Sequence, residues 1–344
     1  MKGLLNDRKM FKKENKVKLI AEIGGNHEGN FDYALELLQL AIESEVDSIK
    51  FQIYSGDTLV NERVDRDRKK HFDRFTFTSD QYKEIASICL ENQVDFSASI
   101  WNEPQLEEFD DYLSFYKIGS GDLTAFPIIE SHCKRGKPII LSTGLSTLKE
   151  VQETVNFICE CNPIYLEESM LCIMQCTSSY PTPDKELNLE VIRTYLDQFH
   201  YPIGYSSHST NPYALDYAIA LGARVLEFHF TDSREGKEFR DHKVSLTKSD
   251  VLDLKKRIPF LIDSLGDHSK QPTESEITSD HINSFRRAAY PNKLIPRGTV
   301  VSQEDFVFLR PQEGLQANKI YNVIGKKSLR DLQPMEPILE EDFD

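Results

Sequence analysis

The chain has 344 residues, 41 Lys and Arg against 56 Asp and Glu, and a formal net charge of −15. With 39% hydrophobic and 28% charged residues it has the balance of a globular protein, not of a disordered one. The acidic excess argues against a nucleic-acid partner, because phosphate backbones need clustered Lys and Arg, and no run of about 18 apolar residues offers a membrane span.

The basic segment Met1 to Lys18 lacks the apolar run that a signal peptide requires. Beyond it, short β-rich apolar runs alternate with helical patterns, the mark of βα units and a parallel sheet. Strands are predicted at Lys18–Ile23, Ser48–Ile53, Asp95–Ser99, Phe115–Ile118, Ile139–Ser142, Leu171–Cys176, Ile203–Ser206 and Val225–Phe230. Helices are predicted over Phe31–Glu45, Ser79–Asn92, Glu103–Leu113, Leu148–Cys159, Leu187–Phe199, Pro212–Leu221 and Lys248–Leu265. The first carries Ala34, Leu37, Leu38, Ala41 and Ile42 at i, i+3, i+4, i+7 and i+8, a stripe to be buried. Gly56 to Phe75 is a charged excursion without a clear period, read as a loop over the barrel mouth.

Eight repeats followed by a change of grammar predict a (β/α)8 TIM barrel with its site at the C-terminal ends of the strands. A doubly wound sheet is the rival. Its glycine fingerprint is missing, since Gly24-Gly25-Asn26-His27 follows the first strand. The expected division is an N-terminal extension over 1–16, the barrel over 17–268, a polar linker over 269–283 and a small C-terminal domain over 284–344. Six Cys without paired metal spacing, including Cys159-x-Cys161 and Cys172-x-x-x-Cys176, read as reduced packing residues of a cytoplasmic protein.

Chemistry-bearing residues fall at the strand ends. Glu22 sits inside an apolar strand, which is costly unless it is paired, and a salt bridge to Lys50 or Lys117 is the bland reading. Lys50 and Lys117 lie in otherwise apolar strands and promise a cationic pocket of low dielectric. Ser120, Ser142 and Ser206 end three strands, where hydroxyls and backbone N–H groups can meet a phosphate or carboxylate. Each alone reads equally as a turn residue. His208 and His229, at two neighbouring strand ends, make a candidate pair for a first-row divalent ion. The run Arg240-Asp241-His242-Lys243 is charge-dense, and a solvated turn is its bland reading.

Taken in order, these segments resemble the sialic acid synthases, the phosphoenolpyruvate-condensing nonulosonate synthase family. The resemblance rests on Ile20-Ala-Glu-Ile-Gly-Gly-Asn-His27, Ile49-Lys-Phe-Gln52, Tyr116-Lys-Ile-Gly-Ser-Gly-Asp122 and Leu141-Ser-Thr-Gly144. It continues with Cys176-Thr-Ser-Ser-Tyr-Pro181, Ile203-Gly-Tyr-Ser-Ser-His208, Leu226-Glu-Phe-His-Phe-Thr231 and Asp241-His-Lys243. The tail from Phe285, with Leu309-Arg-Pro311 and Val323-Ile-Gly-Lys326, resembles that family's antifreeze-like (SAF, β-clip-type) domain.

The resemblance implies condensation of phosphoenolpyruvate with an N-acylated hexosamine, chiefly N-acetylmannosamine, to a nine-carbon α-keto acid and phosphate. It places phosphoenolpyruvate on Lys50, Lys117, Ser120, Ser142 and Ser206. Mn2+, or Mg2+ or Co2+, falls to His208 and His229, and the sugar to Gln52, Tyr180, Asp241, Phe285 and Arg310. Glu22, Asp122 and Lys117 become the catalytic set. Arg310 is expected to serve the neighbouring barrel in a domain-swapped homodimer. This chain departs from the pattern at Asp122, where many members carry Glu, and at Ala98-Ser99-Ile100-Trp101, where bacterial members often have Thr-Pro. A diacetamido-trideoxyhexose acceptor, leading to a legionaminate or pseudaminate, is the alternative within the family, and a 6-phosphate acceptor is a further one. A Schiff-base aldolase using Lys50 or Lys117, and a non-catalytic carbohydrate-binding protein, are the alternatives outside it.

Overall fold

The computed structural model describes residues 16–344, so the expectation for the N-terminal segment falls largely outside the described residues. Strands β1 (Lys18–Glu22), β2 (Ser48–Ile53), β3 (Asp95–Ile100), β4 (Phe115–Ile118), β5 (Ile139–Ser142), β6 (Leu171–Cys176), β7 (Ile203–Ser207) and β8 (Val225–His229) form a closed barrel in sequence order. All pair in parallel, and β8 returns to β1 to close the ring. The predicted strands match these within one residue at either end.

Helices α1 (Phe31–Glu43), α2 (Gly56–Leu59), α3 (Arg66–Asp73), α4 (Ser79–Glu91), α5 (Glu103–Phe109), α6 (Phe126–Cys133), α7 (Leu148–Cys161), α8 (Val191–Gln198), α9 (Tyr213–Leu221) and α10 (Lys248–Leu265) run between and after the strands. Thr78, Thr147 and Thr247 start α4, α7 and α10 with reciprocal capping boxes, which satisfy otherwise orphaned N–H groups. Four residues of the α1 stripe, Ala34, Leu37, Leu38 and Ala41, are buried as expected. Three expectations need correction. The excursion read as a loop holds α2 and α3. The segment between β4 and β5 contains α6, which the sequence reading omits. Helix α8 begins four residues later than expected, because Asn188 takes a left-handed φ of 48° and interrupts the run from Leu187.

Strand alternation sorts the barrel interior into layers. Near the N-terminal ends Ile20, Phe115, Ile140, Cys172, Met174 and Val225 form a small apolar cluster. Two residues further along the same strands stand Glu22, Lys117, Ser142 and Glu227, with Lys50 beside Glu22 in the register. Outward-facing residues such as Leu19, Ala21, Ile49 and Phe51 pack with the helices into the main core. Among the described residues no helix is long and apolar enough to cross a membrane.

The chain divides into two compact units, 1–266 and 267–344. The second contains α11 (Glu274–Thr278) and α12 (His281–Phe285), so the segment read as a linker carries two short helices. Its antiparallel pair β9 (Ala288–Pro291) and β10 (Phe306–Leu309) encloses a core of Ala289, Ile295, Val301, Phe306, Leu315, Val323, Leu332 and Phe343 with other apolar residues.

Candidate active site

The polar layer holds four charged side chains that are almost wholly buried: Glu22, Lys50, Lys117 and Glu227. The Lys50 ammonium is ion-paired with Glu22, the partner that the bland reading of Glu22 anticipates. Gln52 Nε2 donates to Glu22 Oε1 at 3.1 Å. Lys117 Nζ donates to Glu227 Oε1 at 3.2 Å, and Ser206 Oγ donates to the same oxygen at 3.2 Å. Burial pushes the Glu22 carboxyl up, against the opposing pull of Lys50. Burial alone would push Glu227 up as well, but Lys117 and Lys50 override it and hold the carboxyl down at about 2. For Lys50, the carboxylates of Glu22 and Glu227 outweigh desolvation and keep the ammonium protonated. Buried ion pairs are poor stabilisers compared with apolar packing of the same volume. Two of them inside one barrel, with carboxyl groups displaced in opposite directions, mark a functional site.

The serines take three different positions. Ser142 Oγ is buried and makes no hydrogen bond. Ser120 Oγ accepts from the Gly144 N–H at 2.9 Å. A Cβ at Gly144 would lie 2.5 Å from Ser178 Oγ and 2.8 Å from Ser120 Oγ, so a larger residue here would have to displace both hydroxyls. Ser206 is engaged with Glu227. Asp122 lies in the 3-10 turn Ser120–Asp122 beyond β4. Its Oδ2 accepts from Trp101 Nε1 at 2.7 Å. Burial pushes the Asp122 carboxyl up, and the Trp101 bond and Lys117 oppose the rise.

His208 and His229 face one another with ring centroids 5.4 Å apart, and Tyr180 packs 4.0 Å from the first and 5.7 Å from the second. His208 Nδ1 lies 2.9 Å from the Thr177 carbonyl oxygen. As donor in that bond, Nδ1 leaves Nε2 as the acceptor of a neutral ring, the usual arrangement of a metal-bound histidine. Desolvation would lower the His208 pKa, but Cys176 Sγ at 3.8 Å and the Thr177 carbonyl carry it upward. His229 is buried and its Nδ1 has no partner; burial, the largest cause, holds it well below the ordinary imidazole range, hence neutral. An orphaned nitrogen beside a second available one fits a divalent ion. Among the described residues no group of three or more His, Cys, Asp and Glu could hold one, so any such ion takes the rest of its shell from water or substrate.

Around the residues expected to meet the sugar, the Arg240 guanidinium lies 4.7 Å from the Tyr180 ring and its Nε donates to Asp241 Oδ1 at 3.0 Å. Burial pushes the Asp241 carboxyl up. The charge-dense run is therefore no solvated turn: Asp241 and His242 are buried in a 3-10 helix, with His242 Nε2 3.1 Å from Glu28 and Nδ1 2.7 Å from Thr231 Oγ1. In the second unit, the Arg310 guanidinium lies 5.6 Å from the Phe285 ring, so these two expected sugar contacts stand together there.

The sequence reading passes over Glu227, Trp101 and Asn26. Asn26 Nδ2 donates to the Phe230 carbonyl and Ser245 Oγ, both at 2.8 Å, and ties the turn after β1 to that after β8. Glu227 could have been found, because it precedes His229 by two residues and so shares its face of β8. Trp101 and Asp122 are 21 residues apart, and no local pattern joins them.

Comparison with known proteins agrees with the barrel and the small second unit. The profile of the NeuB family matches residues 37–270, and that of the SAF domain matches residues 286–344. The chain belongs to the NeuB family and is an enzyme. It is 30% identical to the N-acetylneuraminate-9-phosphate synthase of Homo sapiens, over 94% of this chain and 91% of that one. It is 29% identical to the N,N'-diacetyllegionaminic acid synthase of Legionella pneumophila, over 94% and 93%. Among solved structures, the sialic acid synthetase of Leptospira borgpetersenii in complex with citrate superposes with a TM-score of 0.71 at 25% identity, covering 77% of this chain and 90% of that one.

Proposed function

We propose that the enzyme joins phosphoenolpyruvate to the open-chain aldehyde of an N-acylated hexosamine, N-acetylmannosamine first, giving a nine-carbon α-keto acid and phosphate. The observation that carries this reading is the polar layer: two buried lysines, each tied to a carboxylate, beside the unpartnered hydroxyl of Ser142. Lys50, Lys117, Ser120, Ser142 and Ser206 hold the phosphate and carboxylate of the enol. A divalent ion, Mn2+ first, on His208 and His229 would supply Lewis-acid polarisation of the aldehyde oxygen, worth several kcal/mol.

As carbon 3 of the enol attacks, negative charge develops on the aldehyde oxygen. Glu22, its pKa raised by burial, is suited to deliver a proton there. Carbon 2 becomes electron-poor and takes up water, for which Asp122 is the base, and the tetrahedral adduct then breaks its bond to the phosphate oxygen, releasing phosphate as the ketone forms. Each such proton transfer is worth roughly 10²–10⁴ in rate. Tyr180, Asp241 and Gln52 face the sugar chain. The proposal includes a cytoplasmic homodimer in which Arg310, with Phe285 beside it, serves the N-acyl group of the sugar on the partner's barrel.

A Schiff-base aldolase working through Lys50 is disfavoured because a lysine nucleophile must be neutral, whereas the carboxylates around Lys50 favour its protonated form. The names of the human and Legionella relatives point to two other acceptors, a phosphorylated one and a diacetamido one, and both belong in the test. Phosphate release from phosphoenolpyruvate is measured with N-acetylmannosamine, its 6-phosphate and diacetamido-trideoxyhexoses, together with product mass. Release is expected with one acceptor, lost in EDTA and restored by Mn2+. No release with any acceptor overturns the function, and activity indifferent to EDTA overturns the metal.

A further inference from the structure

We propose that Trp101 is a positioning residue, aiming the Asp122 carboxylate at the water that adds to the enol. The inference rests on the role given to Asp122 above. The chain has one Trp, and it stands immediately after β3 at the barrel mouth. An indole is a donor only, with a single N–H to give. Here that N–H goes to Asp122 Oδ2 at 2.7 Å, within the short range of charge-assisted bonds.

Two segments hold the ring, and a third backs the first. Tyr54, just beyond β2, meets it at 5.5 Å and 67° between planes, and Phe72 on α3 meets Tyr54 at 5.3 Å and 87°. On the other side, the Asp122 N–H bonds the Gly119 carbonyl at 3.0 Å and fixes the turn that carries the carboxylate. Oδ1 makes no hydrogen bond among the described residues. One oxygen is thus pinned and the other is left for the reaction.

The groups that face Asp122 are Trp101 and Lys117, with Tyr54 beside the indole and Glu227 opposite Lys117. A guanidinium in the place of the indole would fix the geometry equally well but depress the base by about 1–3 pH units. A neutral N–H aims the carboxylate and leaves more of its basicity.

The single Trp also gives a readout that needs no turnover. Trp emission followed from about pH 4 to 8 is expected to step as the carboxylate ionises, and the step is expected to vanish in Asp122→Asn. A step that survives in Asp122→Asn, or no step at all, overturns the inference. Trp101→Phe keeps a ring and removes the donor. Its kcat is expected to fall roughly tenfold with both KM values within about twofold, the pattern of lost transition-state alignment. The bond favours the ionised form, so its loss raises the Asp122 pKa and moves the acid limb of the rate profile to higher pH. An unmoved limb refutes the proposal. If that variant fails to fold, the emission experiment decides alone. Full activity in Asp122→Asn would instead defeat the base role itself, which separates the two failures.

Discussion

Replacing Glu227 by Gln keeps the shape of the side chain and removes the charge that faces Lys117. The two groups lie 3.2 Å apart, a separation at which unit charges attract by about 5 kcal/mol at an effective dielectric of about 20. A second route starts from the carboxyl itself, held at about 2 against an ordinary 4.5. That gap, at about 1.4 kcal/mol for each pH unit, gives about 3 kcal/mol. The sign follows from the depression: this contribution is complete above about pH 4.5 and is lost as the pH falls through about 2. Both figures agree with the roughly 3–5 kcal/mol expected when one member of a buried pair is removed and the other is left charged. In a barrel of this size each kcal/mol moves the Tm by about 2–4 °C, so Glu227→Gln is expected to unfold about 6–20 °C lower at neutral pH.

Phosphoenolpyruvate should then stabilise the variant more than the wild type. Its anionic groups supply the charge that Lys117 has lost, and a ligand bound only by the folded state raises stability by mass action. Scanning calorimetry with and without saturating phosphoenolpyruvate reads both effects. A loss below about 1 kcal/mol, or an equal ligand-induced rise in the two proteins, refutes the reasoning.

Two further substitutions separate binding from folding. Ser142→Ala removes a buried hydroxyl that has no partner, so it leaves no orphan behind and should change stability little. It is expected to raise the KM for phosphoenolpyruvate by roughly five- to tenfold and leave the acceptor KM alone, in steady-state kinetics with each substrate varied. An unchanged phosphoenolpyruvate KM would remove Ser142 from the anion site. Arg310→Ala is expected to raise the acceptor KM more than that for phosphoenolpyruvate; equal effects would end the proposed meeting of Arg310 with the N-acyl group.

How much was legible in the sequence depended on where each signal came from. The strands were readable because each is a short apolar run buried on both faces, and their bounds moved by one residue at most. Helix α3 was not, because none of its eight residues is buried and it therefore has no stripe. It is held instead by its Asp65 cap and by the packing of Phe72 on Tyr54, a contact between distant segments. Helix α6 is only eight residues long and too short to show a period. At the site, Glu22, Lys50 and Lys117 were visible as charges in apolar strands. The pairing of Glu22 with Lys50 was anticipated, but the partners of Lys117 and Asp122 were not, since the bonds that join Lys117 to Glu227 and Trp101 to Asp122 span 110 and 21 residues.

Those pairings also resolve how a chain of net charge −15 can hold a polyanionic substrate. Lysines placed alone in the barrel would attract phosphate strongly, but each would carry the desolvation cost of an unpaired buried ion. With Glu22 and Glu227 both ionised the four groups sum to zero, which removes that cost and most of the attraction. The two carboxyls are not equivalent, however: Glu227 is held ionised, whereas burial biases Glu22 toward its proton. Burial therefore makes Glu22, and not Glu227, the carboxyl of the layer that more readily takes up a proton, and uptake there would leave the four groups with one net positive charge in a low-dielectric setting where charge acts most strongly. The acidic surface of the protein need take no part in that balance.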